Sequence, residues 1–351
     1  MSQQEAGTPA VSVIVLNYNG LRFLERLFNS LLDDSFGDRE LIMVDNASTD
    51  ESVAYVREHY PGVRIIESGR NIGFATGNNL GIQNAIGEYV VLLNNDIEVA
   101  DGWLSPLVEE LDSHPEIAAV QPKLRQIADR TSFEYAGAAG GYIDPYGYPF
   151  LRGRVFGNIE QDNGQYDTAE DVFWTSGAAM AIRKSSLDKV GLLDEDFVFH
   201  MEEIDLCWRL LLQGNRLRVR PDAVVYHHGG GSLRTDSYRK IYWNHRNSLL
   251  MLIKNYGPSR LLARLPVRLV LDVVLILKSL ITLDLKRAVA VPAGYLWLLA
   301  HTGTVLAKRR EVQSKRHLPD SSLDHLMLKG SLVAAYYLRG KRSFSEIWGR
   351  G

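Results

Sequence analysis

The chain has one cysteine, Cys207, so no disulfide can form within it and nothing in its chemistry asks for an oxidising compartment. It also lacks a dominant charge. Its 39 Lys and Arg against 42 Asp and Glu leave a formal net charge of −3, which removes any global electrostatic case for nucleic acid. Residues 1–10 carry neither a basic stretch nor an apolar run, so they read as a short disordered lead-in rather than a secretory signal. The longest stretch without charge, Ala288 to Ala307, is long enough to cross a bilayer. Pro292, Gly294, His301 and Gly303 interrupt it, and Lys and Arg flank both ends, leaving no asymmetry to orient a span. Missing too is the Gly-x-Gly-x-x-Gly of a nicotinamide-binding enzyme: after the first strand comes Asn17-Tyr18-Asn19-Gly20, with a single glycine.

What remains is a chain of 351 residues, 46% hydrophobic, large enough for a catalytic domain with an appendage. From Val11 onward, β-branched runs alternate with helical apolar spacing. Strands are expected at Val11–Leu16, Glu40–Val44, Val63–Glu67 and Glu88–Leu93, and helices near Leu21–Leu31, Ser52–Glu58 and Asn78–Ile86. That alternation predicts an α/β fold with a mainly parallel central sheet. Lys123 to Asp171 is rich in Gly, Tyr, Pro and Asp and reads as a hairpin with long loops. A strand-like run over Val172–Arg183, a helix over Phe197–Gln213 and further helices over Tyr238–Tyr256 and Leu261–Leu285 follow. The last mixes apolar residues with Arg268, Asp272, Lys278 and Asp284, which suits an amphipathic helix at a membrane interface; a buried appendage or a dimer contact remains the alternative.

Five polar clusters punctuate this pattern. Asp45 and Asn46 end the second strand, where open α/β sheets bind ligands; an Asx-turn capping the next helix is the plainer reading. The run Asn71 to Asn79 supplies two glycines and the amides of Asn71, Asn78 and Asn79, suited to close approach of sugar and phosphate oxygens or to an ordinary capped loop. Asn94-Asn95-Asp96 closes an apolar strand with a carboxylate able to hold Mg²⁺ or Mn²⁺ on a diphosphate, or forms a simple polar turn. Glu202, Glu203 and Asp205 crowd one helix entrance. Their mutual repulsion favours a raised pKa on at least one, while the helix dipole offers a purely structural reason for them. The fifth, Val224 to Ser232, ends a strand with His227 and a glycine run; a lone histidine is more often structural than ligating.

Taken in order from Val11 to about Asn255, these clusters resemble the family 2 glycosyltransferases, and within them a rhamnosyltransferase-like branch of bacterial polysaccharide enzymes. The resemblance implies a GT-A fold over residues 11–255, with residues 256–351 as a helical, membrane-associated C-terminal region. It implies that Asn17, Tyr18, Asp45 and Asn46 hold the nucleotide of the donor, and that Asn71, Gly73, Asn78, Asn79, Asn94, Asn95 and Asp96 line the rest of it. Asp96 and His227 would carry a divalent metal, Mg or Mn. Trp174 and Gly177 resemble the acceptor-side Trp-x-x-Gly element, joined there by Glu202 and Asp205, and Glu203 falls at the position of the catalytic base. Two departures stand out. The family's Asp-x-Asp is here Asn94-Asn95-Asp96, with a single carboxylate, and the base position, commonly Asp, is Glu, which leaves Glu202 as its competitor.

The implied activity is inverting transfer of a sugar, rhamnose among the candidates, from a dTDP- or UDP-sugar to a hydroxyl of a saccharide or polyprenol-linked saccharide, in cell-surface polysaccharide synthesis. The implied place is cytoplasmic, peripheral on the inner face of the cell membrane. The alternative is a non-catalytic sugar-binding or scaffold protein derived from such an enzyme, and transfer or hydrolysis of a nucleotide sugar separates the two.

Overall fold

A computed structural model describes residues 8–229 and 237–349; the tail of the fifth cluster, Gly230 to Ser232, and most of the lead-in lie outside them. The first half is built from β1 (Val11–Asn17), α1 (Leu21–Asp33), β2 (Arg39–Asp45), α2 (Ser52–His59), β3 (Arg64–Glu67), α3 (Gly73–Asn84), β4 (Tyr89–Asn94), β5 (Ile97–Val99), α4 (Ser105–Ser113) and β6 (Ile117–Gln126). A small sheet follows, from β7 (Gly141–Ile143), β8 (Pro149–Leu151), β9 (Arg154–Val155) and β10 (Asn158–Ile159). Then come β11 (Glu170–Asp171), β12 (Ala179–Arg183), α5 (Lys184–Val190), α6 (Glu202–Leu212) and β13 (Arg216–His227). The chain ends in helices α7 (Tyr238–Asn255), α8 (Pro258–Ile281), α9 (Leu285–Ala300), α10 (Thr302–Lys315), α11 (Leu332–Tyr337) and α12 (Phe344–Trp348).

The large sheet runs β11-β13-β6-β12-β4-β1-β2-β3. β1 pairs in parallel with both β2 and β4, and β13 with β6, whereas β12 enters antiparallel between β4 and β6. β1 is buried on both faces, which is why its sequence is a continuous apolar run. α1 turns Leu24, Leu27, Phe28 and Leu31 onto one face of the sheet, and α3 and α6 cover the other.

α3 begins at Gly73, five residues earlier than the apolar spacing suggests, so most of the expected Asn71–Asn79 loop is helix. A Cβ on Gly77 would stand 2.5 Å from Leu16 Cδ1, and one on Gly81 2.3 Å from Ile14 Cγ2. Gly77 therefore lets the helix lie close on β1, the strand it crosses, instead of opening space for a ligand. α6 departs the other way, starting at Glu202 rather than Phe197. Val198, His200 and Met201 take positive φ angles of 63°, 72° and 71°, which no helix accommodates.

The uncharged stretch Ala288–Ala307 is broken. α9 stops at Ala300 and α10 leaves it at 78°, and among the described residues no single helix is long and apolar enough to cross a membrane. α9 and α10 both pack on α7. The final segment turns back to the small sheet, where the rings of Phe344 and Trp348 meet Tyr142 and Phe150, and Leu332 N–H donates to Asp144.

Candidate active site

Parallel pairing aligns the carboxyl ends of three strands. Asn17 stands opposite Asp45 in the β1–β2 register, and Leu16 opposite Asn94 in β1–β4. Their side chains continue the alignment: Asn95 Nδ2 donates to Asn17 Oδ1 at 2.8 Å, and Asn17 Nδ2 donates to Ser48 Oγ at 3.1 Å and, at a long 3.4 Å, to Asp45 Oδ1. Tyr18, beside this network, is half exposed and presents its ring to solvent. Asn46 ties the neighbouring loop down, accepting from Ile72 N–H at 2.8 Å and donating to Gly73 O and Asn71 Oδ1. The two remaining amides of the expected donor loop are engaged by backbone. Asn78 donates to Phe74 O, and Asn79 both donates to and accepts from Leu193, at 2.8 and 3.0 Å.

Asp96 follows β4 and is buried. Its Oδ1 lies 2.9 Å from His227 Nε2, which β13 brings across because His227 pairs with Ile97 on β5. The far ring nitrogen, Nδ1, stands 3.2 Å from Glu134 Oε1, an ion contact without hydrogen-bond alignment. Burial opposes charge on both Asp96 and His227, but the opposite charges beside each outweigh that cost. Asp96 is held below the usual carboxylate range by the His227 hydrogen bond and charge, while the charge of Glu134 and the bond to Asp96 lift His227 to about 10. Protonated His227 thus serves as the cation between two carboxylates.

A divalent ion in this place would displace the proton that His227 carries and take Nε2 as a ligand. Two ligands on adjacent positions of an octahedral ion sit about 3 Å apart, which the Asp96–His227 separation matches. A carboxylate on the other imidazole nitrogen, here Glu134, is the usual outer support of a ligating histidine. Among the described residues no group of three or more His, Cys, Asp or Glu is arranged to hold a metal unaided.

The acidic cluster sits at the start of α6. Gly177 backs it: a Cβ there would be 3.4 Å from Glu203 Cβ and 3.7 Å from the Phe74 ring, so glycine lets the turn before β12 lie against the helix entrance. The same turn reaches the end of β4, because Asn94 N–H donates to Ala178 O at 2.9 Å. Glu203 is partly exposed, yet Oε2 of Glu203, Oε2 of Glu202 and Nε2 of His200 are shielded without a hydrogen-bond partner. Burial raises Glu203 to about 7, with backbone N–H groups of the helix start drawing it down, and burial plus the charges of Glu203 and Asp205 raises Glu202 well above its ordinary value. Burial also keeps His200 neutral, at about 3, helped by the charge of Lys240.

Two expected acceptor contacts are corrected. Asp205 is fully buried, its oxygens taken by Arg209 Nε at 2.9 Å, Lys254 Nζ at 2.9 Å and Asn255 Nδ2 at 2.8 Å, so no acceptor can reach it. Trp174 is 3% exposed, its ring against Gly141 and its Nε1 donating to Tyr142 O; it anchors the small sheet. Sequence reasoning also missed Glu134, an isolated carboxylate in a Tyr- and Gly-rich stretch with no motif around it. It missed Asn247 as well, whose Nδ2 donates to the carbonyls of Phe197, Phe199 and His200 at 2.8, 3.0 and 2.8 Å and so holds the strained loop before Glu203. A signal for Asn247 exists in the text: His245-Arg246-Asn247-Ser248 is four polar residues in a row on a helix, all buried here.

Comparison with known proteins agrees with this architecture. The model of "Glycosyl transferase family 2" matches residues 12–191. An N-acetylglucosaminyl-diphospho-decaprenol L-rhamnosyltransferase of Mycobacterium tuberculosis is 25% identical over 268 residues, covering 71% of this chain and 86% of that one. Among solved structures, GalNAc-T7 with UDP, GalNAc and Mn²⁺ has a TM-score of 0.55 at 17% identity, over 70% of this chain and 48% of that one. A mannosyltransferase of Pyrobaculum calidifontis with GDP-Man and Mn²⁺ has a TM-score of 0.52 at 18% identity, over 88% and 86%. These two likenesses show the fold, which is GT-A.

Proposed function

This chain belongs to glycosyl transferase family 2, and from that premise we propose that it moves a sugar, with inversion, from a nucleoside diphosphate to a hydroxyl of a lipid-linked saccharide. The observation that carries the proposal is Glu203: a carboxyl raised to about 7, with a shielded oxygen left unpartnered, one turn away from the strand ends that ligands occupy in open α/β sheets. An acceptor hydroxyl supplies the missing hydrogen bond and gives up its proton to that oxygen as its own oxygen attacks the anomeric carbon. Glu202, protonated beside it, orients the same hydroxyl or the helix entrance.

Asn17, Tyr18 and Asp45 would receive the base and ribose of the donor, and Asn94, Asn95 and Asp96 the sugar diphosphate. Asp96 and His227 would hold a divalent ion, Mg²⁺ or Mn²⁺, which supplies countercharge to the leaving nucleoside diphosphate. With one carboxylate where the family commonly has two, Asp96 and His227 would hold the ion together with the donor's diphosphate, so ion and donor would bind together. The acceptor class follows the mycobacterial relative, whose name gives an N-acetylglucosaminyl-diphospho-decaprenol acceptor and L-rhamnose as the sugar moved. Residues 11–255 carry the chemistry and residues 256–351 meet the membrane, at its inner face, in cell-surface polysaccharide synthesis. Incubating the full chain with Mn²⁺, dTDP-rhamnose or UDP-sugars and a polyprenyl-diphospho-N-acetylglucosamine tests this directly. Product of inverted anomeric configuration supports it; absence of transfer and of hydrolysis from every nucleotide sugar overturns it.

A further inference from the structure

Helix α8 is built inside out, and α9 beside it is apolar on both its buried and its exposed face. On α8 the polar side chains of Arg268, Asp272 and Ser279 face the protein: Arg268 and Asp272 are each 1% exposed, Arg268 Nε bonding both Asp272 oxygens at 3.1 and 3.0 Å and its Nη1 bonding Ser248 Oγ at 2.7 Å. Tyr295 from α9 donates to the same Asp272 at 2.6 Å. The apolar side chains face outward. Val270, Val274, Leu277 and Ile281 form one stripe at helical spacing, between 55% and 83% exposed, and Val289, Leu296 and Leu299 extend it along α9. In water this arrangement is unfavourable on both counts, since each exposed aliphatic side chain forgoes about 1.5–3 kcal/mol of burial. A contiguous apolar face of this extent marks a surface that something apolar covers.

The charges say what covers it. Between Pro258 and Arg310 stand nine Lys and Arg against only Asp272 and Asp284, in a chain whose whole is net negative; Arg260 and Lys308 are paired with carboxylates outside the segment, Asp324 and Asp194, and Arg268 and Arg287 with the two inside it. Asp272 is spent on Arg268 inside, and at the hairpin tip the exposed Ile281, Leu283 and Leu285 are bracketed by exposed Lys278, Lys286 and Arg287. Apolar side chains ringed by cations match a leaflet with anionic headgroups over acyl chains. A symmetric second copy would set those cations against their own images.

We infer that the α8–α9 hairpin is a monotopic anchor lying in the interface of an anionic phospholipid leaflet, its Arg268–Asp272 side turned to the protein and its tip in the acyl region. This rests on the lipid-linked acceptor reading only for its biological use. α9 packs on α7, whose Asn247 holds the loop before Glu203, so the leaflet lies one helix away from the base.

The test is flotation of the full chain with vesicles of phosphatidylcholine alone and of equimolar phosphatidylcholine and phosphatidylglycerol, beside the variant Val270→Glu/Val274→Glu/Leu277→Glu. The native chain floats, more strongly with phosphatidylglycerol, and the variant's partitioning falls at least about tenfold at unchanged melting temperature and UDP binding. Should the triple variant misfold, Ile281→Glu, at the most open position of the stripe, replaces it. A native chain that ignores both vesicles, a folded variant that floats equally well, or a native dimer that the variant merely splits into monomers overturns the anchor. Vesicle binding without any sugar transfer leaves the anchor standing and sinks the enzymatic reading instead.

Discussion

Asp96 Oδ1 and His227 Nε2 lie 2.9 Å apart, although 131 positions separate them in the chain. The contact exists because β13 folds back beside β5, and it converts two side chains that are unremarkable singly into a charged pair with a second carboxylate, Glu134, behind it.

Removing either member breaks the proposed ion site. Asp96→Ala and His227→Ala should each lower turnover by at least about a hundredfold and abolish Mn²⁺-dependent tightening of nucleotide binding, read by calorimetry with and without chelator. Full activity of Asp96→Ala, or of the native enzyme in chelator, removes the metal from the scheme.

Glu203→Gln keeps the shape of the site and loses the proton acceptor. Turnover should drop by about two to four orders of magnitude while nucleotide-sugar affinity stays within about twofold, and Glu202→Gln should cost less. A dead Glu202→Gln beside a working Glu203→Gln would exchange their roles.

The titration of Glu203 fixes a second pair of outcomes. Turnover requires the ionised carboxylate, so the rate should fall as pH drops through about 7. Stability runs in the opposite sense: a carboxyl raised in the folded state favours folding fully below its ordinary value, and that contribution is lost as pH rises through about 7. Glu203→Gln should therefore match the native melting temperature near pH 4.5 and exceed it by about 2–6 °C at pH 8. Equal melting at both pH values would contradict the shift.

Asn247→Ala releases three carbonyls of the loop Phe197–His200 at once. With each buried bond worth about 1 kcal/mol, melting should fall by about 5 °C, and turnover by about tenfold or more as the backbone before Glu203 relaxes, with nucleotide affinity unchanged. Unchanged kinetics would show that the loop holds its shape without that side chain.

For Asp205→Ala the reverse split is expected. Its removal leaves Lys254 with Asp194 alone and Arg209 with only the carbonyls of Val190, Gly191 and Leu192, and should cost about 1.5–3 kcal/mol of stability, while the acceptor KM of whatever enzyme folds is unaltered. A selective rise in acceptor KM at native stability would restore Asp205 to the acceptor side.

The parallel half of the fold was legible because buried strands write themselves as apolar runs ending in polar residues, and Asn17, Asp45 and Asn94 do align at one edge. Local rules failed where tertiary contacts override them. Gly73 and Gly77 read as ligand-approach glycines, whereas Gly77 lies under Leu16 within α3. Asp205 read as an acceptor contact because its three cationic and amide partners arrive from α7 and from one turn further along α6. The polar residues of α8 read as one side of an amphipathic helix, but spacing shows that a helix has two faces and not which one turns inward, here the side of Arg268 and Asp272.

The return of the last residues to the small sheet bears on how the molecule is made. Phe344 and Trp348 complete the aromatic cluster of Tyr142 and Phe150, and Phe344 N–H bonds Glu160, 184 positions upstream. On the ribosome the loop region 141–160 therefore emerges long before the residues that cover it, and waits with its rings open until residues 344–348 have been made. A chain stopped short of α12 releases that surface unfinished, so truncation before Phe344 should yield protein that aggregates or is degraded rather than a trimmed but working enzyme.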